Sequence, residues 1–180
     1  MLRITIPARE QWDESKEEFV STKEQTLQLE HSLVSLSKWE SKWHKPFLHS
    51  EKTAEETLDY IKCMTLTQNV DPNVYNNLTA EQITQINDYI GDPMTATTFA
   101  EENGGKKNTE KVTSELIYYW MVAYAIPFDP CQKWHLNRLI TLIRVCGVKN
   151  SPPKKRSKGE LMARNAELNA KRRARLNSKG

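Results

Sequence analysis

A long apolar run is missing from this chain. The longest candidate, LIYYWMVAYAI at residues 116–126, ends at Pro127, well short of the roughly 18 or more apolar residues that a membrane span needs. The opening MLRITIPAREQW lacks the apolar stretch and small-residue cleavage site of a secretion signal, so the sequence predicts a cytosolic protein. Cysteine is scarce. Cys63, Cys131 and Cys146 are odd in number and widely spaced, which favours reduced, mostly buried thiols over a disulfide framework. Sequence signs of catalysis are also missing: there is no G-x-S-x-G, no glycine-rich phosphate loop and no signature around a cysteine. ENGGKKN, at 102–108, has glycine and lysine but not the spacing of a phosphate cradle.

Metal ligands are present without a ligand pattern. Cys131 and His135 stand four apart, with His31, His44 and His49 upstream, yet there is neither C-x-x-C nor H-E-x-x-H. Packing and surface roles are therefore expected for them. No metal, cofactor or catalytic residue is predicted, and the chain is expected not to be an enzyme.

What the chain does have is globular composition and a lopsided charge. Its residues are 38% apolar and 27% charged, enough for a core in one domain of ordinary size. The net charge of +3 conceals a division. From Lys149 onward there are eleven Lys and Arg against Glu160 and Glu167, a balance of +9; residues 1–148 carry 15 basic and 21 acidic side chains, a balance of −6. An acidic body with a basic arm seeks an anionic partner or folds the arm back on itself.

The pattern predicts a mainly α fold: a small N-terminal β element of one or two strands, a compact helical body over 1–148, and a basic linker with a C-terminal helical arm over 149–180. LRITI alternates apolar and polar residues and meets Pro7, as a half-wet strand would. Charged residues run to about Lys23, but FVSTKEQTLQL, at 19–29, has threonines and an alternation that suit a pleated surface, so a second strand is expected up to about Leu29 and a helix thereafter. Leu33, Leu36, Trp39 and Trp43 repeat at helical spacing, so the two tryptophans read as core with their ring N–H groups satisfied locally, not as a stacking platform for nucleic acid. Trp120 and Trp134 read the same way.

Capping boxes are predicted at Thr53 with Glu56 and at Thr79 with Gln82, opening helices that bury Leu58, Ile61 and Cys63, and Ile83, Ile86 and Ile90. The second should stop at Gly91 in a left-handed turn. DPMTATTF reads as an extended link or edge strand and EENGGKKN as an exposed loop. VTSELIYYWMVAYAI and DPCQKWHLNRLITLIRVCG look like a buried helical hairpin, the second helix capped by Asp129, with Pro130 first and Gly147 just past its end. Leu136, Leu139, Ile140, Leu142, Ile143 and Cys146 form its inward face. Pro152 and Pro153 break the pattern, and Ser157 with Glu160 would cap a last helix whose only large apolar residues are Leu161, Met162, Leu168 and Leu176. That helix should order best against a partner.

Four phrases, LEHSLVSLSKWESKWHKPFL, LDYIKCMTLTQNVDPNVY, PMTATTF and CQKWHLNRLITLIRVC, together resemble a family of tail-gene proteins of long-tailed bacteriophages associated with tail assembly chaperones. The resemblance spans about residues 2–176. It implies a non-enzymatic, mainly helical protein of the host cell cytoplasm that coats the tape measure protein and brings tail-tube subunits to it during virion morphogenesis. On this view Lys154, Lys155, Arg156, Arg172, Arg173 and Arg175, with Leu161 and Leu168, are partner-binding residues, meeting either a helical client or acidic patches on neighbouring copies, as in a homo-oligomer. The rival class is a nucleic-acid-binding packaging or regulatory protein that sets PPKKRSKG and KRRAR against phosphates. It is not favoured, because the arm lacks a helix-turn-helix or zinc finger and the acidic body would repel nucleic acid.

Overall fold

The structure, a computed structural model, describes residues 1–13, 17–99, 110–151 and 158–176. It is mainly helical with a small N-terminal β region. In chain order the elements are β1 (Leu2–Ile6), β2 (Arg9–Asp13), β3 (Glu18–Thr22), β4 (Gln25–Leu29), α1 (Leu33–Trp43), α2 (Ala54–Met64), α3 (Ala80–Gly91), α4 (Ser114–Ala123), the short α5 (Phe128–Cys131), α6 (Leu136–Asn150) and α7 (Lys158–Leu176). The chain divides into two units, Met1–Val148 and Lys149–Gly180.

In the first unit β1 and β4 pair antiparallel, with Ile4 opposite Leu27 and Leu2 opposite Leu29. The period-2 alternation places Ile4, Ile6, Leu27 and Leu29 in the core, each contributing roughly 1.5–3 kcal/mol by burial. On the wet face the hydroxyls of Thr5 and Thr26 bond at 2.9 Å. Pro7 follows β1 because it has no N–H to continue a ladder. The other edge of β4 is covered: Leu66 N donates to Gln28 O at 2.8 Å, and Glu30 N to Met64 O at 2.9 Å.

The β region is larger than the sequence predicts. β2 and β3 form a second hairpin, with Arg9 opposite Thr22 and Trp12 opposite Phe19. β3 lies largely within the FVSTKEQTLQL phrase, whereas β2, REQWD, has Trp12 as its one apolar residue and no hydrophobic alternation to mark it. Thr22 anchors the base. Its hydroxyl donates to Arg9 O at 3.0 Å and accepts from buried Asn77 at 2.6 Å.

α1 begins at a capping box between Ser32 and Ser35 and ends at His44, whose φ of 53° is left-handed and whose N–H returns to Glu40 O. Leu33, Leu36 and Trp39 are fully buried. The predicted boxes at Thr53–Glu56 and Thr79–Gln82 both form. α2 buries Tyr60, Ile61 and Met64, while Leu58 and Cys63 are only half-buried; α3 buries Ile86 and Tyr89, with Ile83 and Ile90 half-buried.

Several local expectations give way. Gly91 is the last residue of α3, and the cap is Asp92 in an extended conformation; the left-handed residue is Met94. Residues 92–99 hold no strand, which leaves the link of the two readings given for DPMTATTF, and EENGGKKN lies outside the described residues. Asp129 does not cap a helix. It is extended, as a residue before proline prefers, and joined to Pro130 by a cis peptide. α6 begins only at Leu136, whose N–H donates to His31 O at 2.7 Å. Gly147 sits inside α6, where an added Cβ would lie 3.1 Å from the Tyr124 hydroxyl. The predicted inward face of α6 holds, with Leu136, Leu139 and Ile143 buried and Ile140, Leu142 and Cys146 packed against them. α4 takes α1 as its main helical neighbour and is not buried all round, since Tyr119 and Val122 are both 65% exposed.

Candidate partner-binding site

Trp39 settles the role of the paired tryptophans. It is fully buried, its indole N–H donates to Glu56 O at 2.9 Å, and its ring meets Phe47 edge-on at 5.0 Å. Trp43, half-buried beside it, donates to Asp59 Oδ2 at 2.9 Å. Both polar edges are thus satisfied within the body, and neither ring is a free stacking platform. Trp120 and Trp134 are half-buried against the same core.

Paired charges frame this cluster. Lys45 pairs with Glu56, whose other oxygen accepts from Thr53 N at 2.8 Å; these bonds hold the Glu56 carboxyl below its usual pKa. Burial works to raise the Asp59 pKa, but bonds from Lys42 and Trp43 outweigh it and leave the value lowered. The bond to Asp59 in turn raises Lys42. Lys52 is lowered by burial; its ammonium sits 4.0 Å from the Phe47 ring centre and donates to Phe47 O. Glu40 is a buried carboxylate with a mechanical task. It accepts from Phe47 N at 2.8 Å and from Ser114 N at 2.7 Å, tying α1 to the first turn of α4.

Two histidines make the second polar cluster. The rings of His31 and His135 meet edge-on at 5.1 Å, both buried. His31 Nδ1 lies 2.6 Å from the Tyr60 hydroxyl, and His135 Nε2 lies 2.9 Å from Tyr89 O. Because a carbonyl only accepts, His135 Nε2 donates to Tyr89 O, and its buried Nδ1 meets no hydrogen-bond partner among the described residues. Burial first, and His135 second, depress the His31 pKa to about 3; burial also pushes the Tyr60 hydroxyl up. A catalytic base must be reachable by substrate, and His31 is 1% exposed. Cys131 lies in α5 and His135 beyond it, so no helix aligns them. Among the described residues no three His, Cys, Asp or Glu side chains gather as metal ligands. All three cysteines are free thiols; Cys131 is buried, and burial raises the pKa of half-buried Cys63.

The exposed chemistry lies on α7. Every side chain from Met162 to Leu176 is exposed, including Leu168, Arg172, Arg173 and Arg175. Leu161 belongs to the same helix, although its side chain, like Lys154, Lys155, Arg156 and the predicted Ser157 cap, lies outside the described residues. At about 100° per residue, Arg172 and Arg175 share a face with Leu168, and Arg173 projects from another. Lys171 pairs with Glu167 at 2.6 Å, one turn apart, an exposed bond worth about 0.3–0.5 kcal/mol to the helix. The sequence reading missed Tyr119 and Val122 as exposed residues; their position opposite Ile117 and Met121 on α4 is the signal that could have found them. Among the described residues no helix is long and apolar enough to cross a membrane. Compared with family models, with curated proteins and with solved structures, the chain gives no match.

Proposed function

We propose that the protein is a non-enzymatic assembly factor of the phage tail chaperone kind, binding the tape measure protein and recruiting tail-tube subunits in the host cytoplasm. The observation that carries this reading is α7: a 19-residue helix that exposes arginines and leucines together and leaves its contacts to be completed from outside. The body's polar clusters are enclosed and serve packing, which fits a scaffold better than a reaction vessel. The +9 balance after residue 148 also suits phosphates, and nucleic-acid binding is the second reading.

One experiment separates them. The tagged protein is co-expressed with the tape measure and tail-tube proteins of its own phage, captured at near-physiological salt, and treated with nuclease. Co-capture of a tail protein that survives nuclease supports the assembly reading. Recovery of nucleic acid with no tail protein would overturn it.

A further inference from the structure

We infer that α7 is a heterotypic coiled-coil arm, and that its partner is an acidic amphipathic helix of another protein. This deepens the assembly-factor reading and rests on it. Leu161, Asn165, Leu168, Arg172 and Leu176 follow one another at steps of four, three, four and four, so they form one row along the helix. The opposite face is small, with Ala163, Ala166, Ala170 and Ala174. The three leucines thus share a single seam, with Met162 to one side of it, and Leu168 and Leu176 on the seam are 42% and 73% exposed. No residue of the described second unit covers them.

The charge on and beside the seam selects the partner. α7 carries six Lys and Arg against Glu160 and Glu167, a balance of +4. A second copy laid in register would set Arg172 against its own counterpart, and two helices of +4 repel in either orientation. A partner helix with leucines on its seam and carboxylates flanking it meets both needs: it covers Leu168 and Leu176 and neutralises Arg172 and Arg175. Phosphate contacts explain the arginines but leave the leucines wet. Residues 149–180 also contain no Phe, Tyr or Trp, so the arm has neither a platform for stacking bases nor the aromatic anchors favoured at a membrane interface.

The test uses the full chain and a labelled peptide of about three heptads, with leucine at the seam positions and glutamate beside them, which repels itself and stays single. A scrambled isomer of equal charge, a DNA duplex of about 20 base pairs and vesicles with about one-third phosphatidylserine are the competitors. Fluorescence anisotropy at near-physiological salt should show the patterned peptide binding at least about tenfold tighter than the scramble. Leu168→Asn with Leu176→Asn should remove that advantage while leaving the thermal melt unchanged. Arg172→Glu should weaken the acidic peptide and strengthen one with lysine beside its seam. Equal binding of patterned and scrambled peptides would refute the seam, as would a leucine variant of full affinity. DNA or vesicles that bind tighter and displace the peptide would assign the arm to phosphates. The two proposals fail separately: tail proteins captured equally by the leucine double variant sink the seam alone, and peptide binding without tail-protein capture sinks the tail-chaperone reading alone.

Discussion

Acidification should loosen the body through His31, and the size of the effect follows from its surroundings. His31 is 1% exposed, with the Tyr60 hydroxyl on Nδ1 and the His135 ring against its own. Glu30 and Glu40, carboxylates on the adjoining segments, are already engaged, by Tyr89 and the N-terminus and by two backbone amides. A proton on His31 therefore gains no counter-charge from them. Its folded pKa of about 3 lies below the ordinary histidine value of 6.5, so the unfolded chain takes up the proton first. The contribution of neutral His31 is complete above pH 6.5, falls as pH drops below that value, and levels off below about 3. Linkage at about 1.36 kcal/mol per pH unit gives a loss of ~2 kcal/mol between pH 7.5 and 5.0. His31→Gln keeps a hydrogen-bonding group for Tyr60 but cannot titrate. Urea unfolding of both proteins at both pH values isolates the effect, because every other titrating group is shared. The wild type should lose ~2 kcal/mol more than the variant over that interval. Equal losses, or a His31 ring signal that titrates near 6.5 by NMR in the folded protein, would refute the reasoning.

Three further outcomes test the packing. Trp39→Ala should cost about 3–5 kcal/mol, whereas half-buried Trp43→Ala should cost about 1–2 kcal/mol; equal unfolding free energies for the two variants would contradict their different burial. Glu40→Ala should cost about 3 kcal/mol by stranding two buried N–H donors, and Glu40→Gln about half that because one amide oxygen still accepts. A chemical-denaturation series showing no loss for either variant would remove the carboxylate from its tying role. Deleting residues 152–180 should leave the thermal midpoint of the body within about 2 °C, and loss of a cooperative transition would show that the arm is part of the core.

Local signals were legible because each element states its own boundary. The alternation of Ile4 and Ile6, the leucine and tryptophan spacing of α1, and the reciprocal boxes at Thr53 and Thr79 all depend on residues within one turn or one strand. The failures came where a distant segment supplies what the local pattern lacks. α6 starts late because Asp129 is held extended before Pro130 and because the carbonyl of His31, far upstream, caps Leu136. Gly147 reads as a stop by propensity, yet Tyr124 needs the space it leaves. β2 carries no apolar alternation, and the anchor of its hairpin at Thr22 is Asn77. Such pairings have no period to detect.

The candidate site follows a different rule. The helical pattern reads Trp39 as core and turns Glu40 outward with its polar neighbours, yet Glu40 is buried too, and with His31 these are an indole, a carboxylate and an imidazole whose polar atoms meet neighbouring backbone or hydroxyl groups. Desolvation makes such groups costly unless paired, so satisfied polar pairs favour one packing arrangement over its alternatives. On α7 the reverse holds. Arg172 and Leu168 share an exposed face, the leucine losing the benefit of burial and the arginine lacking a local carboxylate on its own row. An isolated helix of this composition is marginal, and covering that face with an acidic, apolar partner would stabilise both the helix and the complex. On the proposal that the arm binds such a helix, its marginal stability alone and the gain on binding have one physical origin, the uncovered face.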